Sequence, residues 1–157
     1  MRLPQFVDIE YLEIENCLIP TGLAWSLDDG RIKYVVLMPD DSWLPEDPDE
    51  LWVDLDYYAE QGVPALDAIQ ELAEDAGGST IFHDALDPDE QLLEKLFETF
   101  RQDPPFELAG IAELLKEDAA VLEQRRQDIL NEQGLAPESA ESTVYSLLLL
   151  AREHDAL

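Results

Sequence analysis

Gln5-Phe-Val-Asp-Ile-Glu-Tyr-Leu-Glu-Ile-Glu15 alternates apolar and polar side chains over much of its length, a period-two pattern that predicts a β-strand. Asp8 and Glu10 flank Ile9, and residues two apart on a strand project from the same face. Both carboxylates therefore sit on one side, where they can meet a shared cation. Asp-x-Glu alone is a common string, and an ordinary solvated strand face explains it equally.

Outward from this strand, Cys17 to Leu27 reads as a second strand bent by Pro20 and Gly22, Asp28-Asp29-Gly30 as a turn, and Ile32 to Met38 as a β-branched third strand. The first forty residues thus predict an antiparallel meander. Pro39 to Glu50, with three prolines and many acids around Trp43, predicts an exposed loop. The period then changes. Leu66, Ile69, Leu72 and Ala73 predict an amphipathic helix over Ala65 to Ala76, stopped by Gly77-Gly78. Ser79 to Phe82 reads as a short strand, His83 to Asp89 as an acidic loop, and Asp89 to Phe100 as a helix burying Leu92, Leu93, Leu96 and Phe97. After the Asp103-Pro-Pro105 break, Leu108 to about Gln133 reads as one helix, from Ile111, Leu114, Leu115, Val121, Leu122 and Ile129. Ala140 to Arg152 reads as the last helix. Strands first and alternating elements afterwards predict an α/β layered fold, and the 157 residues form one domain, 1–157.

The chain carries 37 acidic residues against 9 basic ones, a formal charge of −28. Phosphate backbones are normally met by Lys and Arg clusters, so most of this surface repels nucleic acid, which argues against a general nucleic-acid binder. A salty cytoplasm also favours such a surface, and bound cations screen carboxylates locally. The lone Cys17 cannot form an internal disulfide and reads as a small core hydrophobe. No stretch has the roughly 18 apolar residues of a membrane helix, and the first residues lack the pattern of a signal peptide, so a cytoplasmic location without membrane attachment is expected. P-loop, dinucleotide-binding and serine-hydrolase glycine motifs are absent.

The order of segments resembles the DnaQ-like (DEDD) 3′-to-5′ exonuclease family. Phe6-Val-Asp-Ile-Glu10 looks like its first strand motif, and Ile19-Pro-Thr-Gly-Leu-Ala-Trp25, Asp29-Gly30 and Ile32 to Pro39 look like the strands that follow. Gly62-Val-Pro64 and His83-Asp-Ala-Leu-Asp-Pro-Asp89 look like the Gly-x-Pro element and the aspartate loop of a subgroup of small exonucleases. The resemblance implies an RNase H-like three-layer α/β domain, with a mixed sheet, antiparallel in its first three strands, flanked by helices. It implies Asp8, Glu10 and Asp89 as ligands of Mg²⁺ or Mn²⁺. Asp84 and Asp87 rival Asp89, and helix capping explains acids at such positions without any metal.

The third motif departs from the family, which places His and, five residues on, Asp before the last helix. Pro137-Glu-Ser-Ala-Glu-Ser-Thr-Val144 puts Glu138 at the histidine and Thr143 at the aspartate; sliding by two puts Ala136 and Glu141 there. Either register loses the histidine, leaving Glu138 or Glu141 as the candidate base. A complete site would hydrolyse phosphodiesters at the 3′ ends of short single-stranded DNA or RNA, between two ions about 4 Å apart. An inactive relative would instead serve as an acidic module for a basic protein partner.

Other side chains carry plainer readings. His83, beside the Asp84 loop, can help a metal site but reads more readily as an incidental surface histidine, and His154 reads as a cation at a helix C-terminus. Tyr57 and Tyr58 can stack on bases but more often pack, Trp25 reads as core, and Trp43 and Trp52 read as a partner surface.

Overall fold

The computed structural model describes residues 2–14, 16–44 and 55–156. Three long strands open the chain: β1 (Gln5–Ile14), β2 (Cys17–Ser26) and β3 (Ile32–Met38). They form the expected antiparallel meander, β1 on β2 and β2 on β3. Helix α1 (Leu55–Gln61), strand β4 (Val63–Pro64), helix α2 (Ala65–Ala76), strand β5 (Thr80–His83) and helix α3 (Asp89–Thr99) follow. Strand β6 (Glu107–Gly110) and helices α4 (Ile111–Leu115), α5 (Ala119–Gln133) and α6 (Ala140–Glu153) complete the order. The sheet runs β4-β3-β2-β1-β5-β6, with β5 parallel to β1 and β6 parallel to β5. It is the mixed sheet flanked by helices that the sequence predicts.

Alternation along β1 sorts the layers. Val7 and Ile9 join Leu23, Trp25 and Leu37 in an apolar cluster with Ala68, Ile69 and Leu72 of α2 and Leu92, Leu96 and Phe97 of α3. Phe6 and Ala24 face the other way, toward Leu122 and Ile129 of α5 and Val144 and Leu147 of α6. Asp8 and Glu10 share the parity of Phe6, which sends both carboxylates to the α5/α6 side. Across from them on β2 stand Ala24 and Gly22, residues small enough to leave room for carboxylates.

Beyond Glu10 the register shifts: Glu10 pairs with Gly22 but Tyr11 with Pro20, leaving Thr21 as an extra residue on β2. A bulge tolerates the proline, which lacks an N–H for the ladder. It also moves the buried set of β1 from Val7 and Ile9 to Leu12 and Ile14.

The structure corrects several expectations. The helix expected from Leu108 to Gln133 is three elements. Glu107–Gly110 pairs with β5 as an edge strand, Lys116 adopts a left-handed conformation that ends α4, and Asp118 starts α5 by accepting from Ala120 N at 2.9 Å. The break shifts the helical phase, so Val121 is exposed. Helix α1 and the short β4 arise where no element was expected. Trp43 is not a partner surface: it lies in a short 3₁₀ turn at 2% exposure, and its indole N–H donates to Thr99 Oγ1 at 2.8 Å. Trp52 falls outside the described residues. Cys17 is half-buried, at the margin of the core. No described helix is long and apolar enough to cross a membrane.

Candidate metal centre

Strand β5 pairs with β1 only through Gln5–Ile81 and Phe6–Phe82, so Asp8 lies just past the carboxyl end of β5. In α/β sheets this is the end at which ligands bind. A cleft of about 580 Å³ opens there, lined by Asp8, Glu10, Thr21, Tyr58, Asp84, Asp87, Asp89, Arg126, Pro137, Glu138 and Thr143 among others. β1 supplies Asp8, the loop after β5 supplies Asp84, the first turn of α3 supplies Asp89 and the inward face of α5 supplies Arg126.

Asp8 and Asp89 are 8% and 6% exposed, and their carboxyl groups share a hydrogen bond. Two carboxyl groups bond in this way only with a proton between them. Burial raises Asp8 far above the usual carboxylate range, with Asp84 adding to the rise. Burial, then Asp8, then Asp84 raise Asp89 as well, so the two acids hold a proton between them well above the usual carboxylate range. Asp84 lies close to Asp89, their ligand atoms within 4.8 Å, while its Oδ1 accepts from Leu86 N at 3.0 Å. Helix capping does not account for Asp89, whose Oδ2 is buried without any partner. Asp87 is exposed on the cleft rim.

His83 is buried and not a surface histidine. Its ligand atom lies within 4.8 Å of those of Asp84 and Asp89. Ala85 N donates to its Nδ1 at 3.1 Å and burial lowers its pKa, so the ring is neutral and brings no positive charge. That charge comes from Arg126, 4% exposed, whose Nη2 lies 3.7 Å from Asp84 Oδ2. Burial works against its charged form, but Glu123, Asp84 and Asp8 outweigh it and hold the guanidinium above its usual range. Arg126 had no role in the sequence reading. The available signal was its spacing from the buried Leu122, Ile129 and Leu130, which puts it on the buried face of α5.

Glu10 is engaged differently. Its Oε1 accepts from the Tyr34 hydroxyl and its Oε2 from Ala140 N, both at 2.7 Å. Ala140 is the first residue of α6, so the carboxylate sits on a helix N-terminus. Gly22 makes this possible, since a Cβ there would stand 2.8 Å from both Glu10 Oε1 and the Tyr34 hydroxyl. Of the third-motif residues, Thr143 is buried in the cleft wall and Glu138 is exposed on it. Ala136 and Glu141 are exposed and outside the set that lines the cleft.

The donors suit a hard divalent cation. Asp84 and Asp89 offer carboxylate oxygens close to the His83 ring, Asp89 Oδ2 is unpaired, and the proton that Asp89 shares with the neighbouring Asp8 is what such an ion would replace. Thr143, Glu138 and Glu10 border this set without completing a second one.

No protein-family model matches the chain, and no curated protein matches it. Solved structures do, at the level of the fold. A product-bound exonuclease I superposes with a TM-score of 0.63 at 13% identity, over 96% of this chain and 43% of that one. Exonuclease I of E. coli with a dA13 oligonucleotide gives 0.65 at 12% identity, over 98% and 41%. Exonuclease I of Methylocaldum szegediense gives 0.59 at 14% identity, over 95% and 40%. The chain thus spans about two fifths of these enzymes. It has their mixed-sheet, RNase H-like fold.

Proposed function

We propose that this chain is a divalent-cation-dependent phosphodiesterase of the DnaQ type, acting on the 3′ ends of short single-stranded DNA or RNA. The observation that carries the reading is the close set of Asp84, Asp89 and His83, beside the buried Asp8, at an open cleft. Asp84, Asp89 and His83 would hold Mg²⁺ or Mn²⁺, with the buried Asp8 beside them. Such an ion polarises phosphoryl oxygens and lowers the pKa of water.

The chain's own groups do the rest. Glu138, exposed on the cleft wall, takes the proton from the attacking water, and Tyr58 at the rim offers a ring to a base. Glu10 holds the start of α6, and with it the Glu138–Thr143 wall, against β1. A carboxylate base in place of histidine, and a hydroxyl at Thr143 in place of a carboxylate, make turnover slow. The reading carries a cytoplasmic location with it, in keeping with an unpaired Cys17.

A second reading, an inactive relative that binds a basic protein partner, draws on Glu10, whose oxygens both accept from protein donors, and on the formal charge of −28. Incubation of a 5′-labelled single-stranded oligonucleotide with Mn²⁺ separates the two. Stepwise shortening from the 3′ end that disappears in Asp8→Ala supports the nuclease. An intact oligonucleotide with wild-type protein supports the binding module.

A further inference from the structure

Two buried side-chain atoms among the described residues have no hydrogen-bond partner, Asp89 Oδ2 and Arg126 Nη1. One is an acceptor and the other a charged donor, and both residues line the same cleft. Leaving either unpaired is costly, which marks each as a place where something binds.

The structural duty of Arg126 is already met without Nη1. Its Nε and Nη2 donate to Glu123 at 2.9 and 2.7 Å, and Gln127 steadies Glu123 Oε1 at 2.8 Å. Asp84 stands 3.7 Å from Nη2, beyond hydrogen-bonding distance. Nη1 is therefore a spare donor on a guanidinium fixed along its other edge. A lone cation would satisfy Asp89 and be repelled by Arg126; a lone anion would satisfy Arg126 and be repelled by three aspartates. A phosphate bearing its divalent cation satisfies both, with oxygen on the guanidinium and metal on the carboxylates.

We infer that Arg126 is the phosphate-binding residue of this cleft, and that its ligand is a phosphate group bearing its divalent cation, for which a nucleoside monophosphate is the probe. The inference rests on the cation-site reading above. Both unpaired atoms are closed to solvent in the free protein, so side chains lining the cleft shift when the phosphate reaches Nη1.

The test is calorimetric titration of thymidine 5′-monophosphate and of thymidine, with and without Mn²⁺, into wild type, Arg126→Met and Arg126→Lys, beside titration of Mn²⁺ alone. In Mn²⁺, wild type is expected to prefer the monophosphate to thymidine. Arg126→Met should lose about tenfold or more of the monophosphate affinity, and Arg126→Lys, which keeps the charge without the fork, should fall between. Mn²⁺ binding with equal monophosphate affinity in all three proteins overturns the inference and leaves the cation site standing. No Mn²⁺ binding, with monophosphate binding that still depends on Arg126, upholds the inference and removes the nuclease reading. Neither kind of binding removes both. If Arg126→Met fails to fold, the side-chain NMR signal of Arg126 in wild type decides: a shift on adding monophosphate with Mn²⁺ upholds the inference, and a fixed signal overturns it.

Discussion

Asp89, in the first turn of α3, shares a hydrogen bond with Asp8, in the middle of β1, and neither carboxyl group is more than a tenth exposed. A strand and a helix distant in sequence thereby hold one proton between two acids, in a protein already dense with negative charge. Several measurable consequences follow from the strain between burial and ionisation.

The first is pH dependence. Both folded pKa values lie above the ordinary 3.8, so above that value the folded chain binds more protons than the unfolded one. Stability of the metal-free protein therefore falls as pH rises toward the folded values. In chelator, urea unfolding of wild type should weaken between pH 5 and 8 by on the order of 1 kcal/mol per pH unit for each proton involved. Asp89→Asn, which keeps a donor for Asp8 and cannot ionise, should flatten that slope by about one proton.

Asp8 and Glu10 should behave differently although they are neighbours on one face. Asp8→Asn should weaken Mn²⁺ binding by about tenfold or more, because it removes a ligand charge. Glu10→Gln should weaken it by about threefold or less, since that carboxylate serves Tyr34 and α6. Its larger effect should be on stability, about 1–2 kcal/mol for loss of a charged helix-terminal acceptor. Calorimetry and urea titration of both variants check the split.

Two glycines give a steric contrast. At Gly22 an added Cβ meets the far ends of Glu10 and Tyr34, at 2.8 Å each, and both can move. At Gly62 it meets backbone, Tyr58 O at 2.4 Å and Met38 N at 2.5 Å, which cannot. Gly22→Ala should cost about 1 kcal/mol and Gly62→Ala about 3 kcal/mol or more in chemical denaturation.

The cleft wall separates the two candidate bases. Glu138 lines the cleft and Glu141 does not. Glu138→Gln should slow hydrolysis by about tenfold or more, whereas Glu141→Gln should leave it within about twofold. Initial rates on a short oligonucleotide decide, and equal effects would contradict the assignment.

Much of the fold was legible because its signals are local. The alternation in β1, the Asp28-Asp29-Gly30 turn and the α2 and α3 periodicities each depend on neighbours in sequence. Strand β6 was not legible, since Glu107-Leu-Ala-Gly110 has no strand pattern of its own and is held by pairing with β5. The phase break between Ile9 and Leu12 was present in the sequence, but only the pairing with β2 gives it meaning as a bulge. At the cleft, Asp8, Glu10 and Asp89, with Asp84 and Asp87 as rivals, were named through motif order, and all five line it. Arg126 gained its place, and His83 its burial, from tertiary packing, which no local pattern carries.

Whether the buried acids form a cation site is decided by titrating Mn²⁺ calorimetrically into wild type and the Asp8→Ala, Asp89→Ala double variant. Moderate salt keeps the general surface charge from competing. A stoichiometric site in wild type, with release of the shared proton and complete loss in the double variant, is the expected result. Equal, weak and unsaturable binding in both proteins would contradict it.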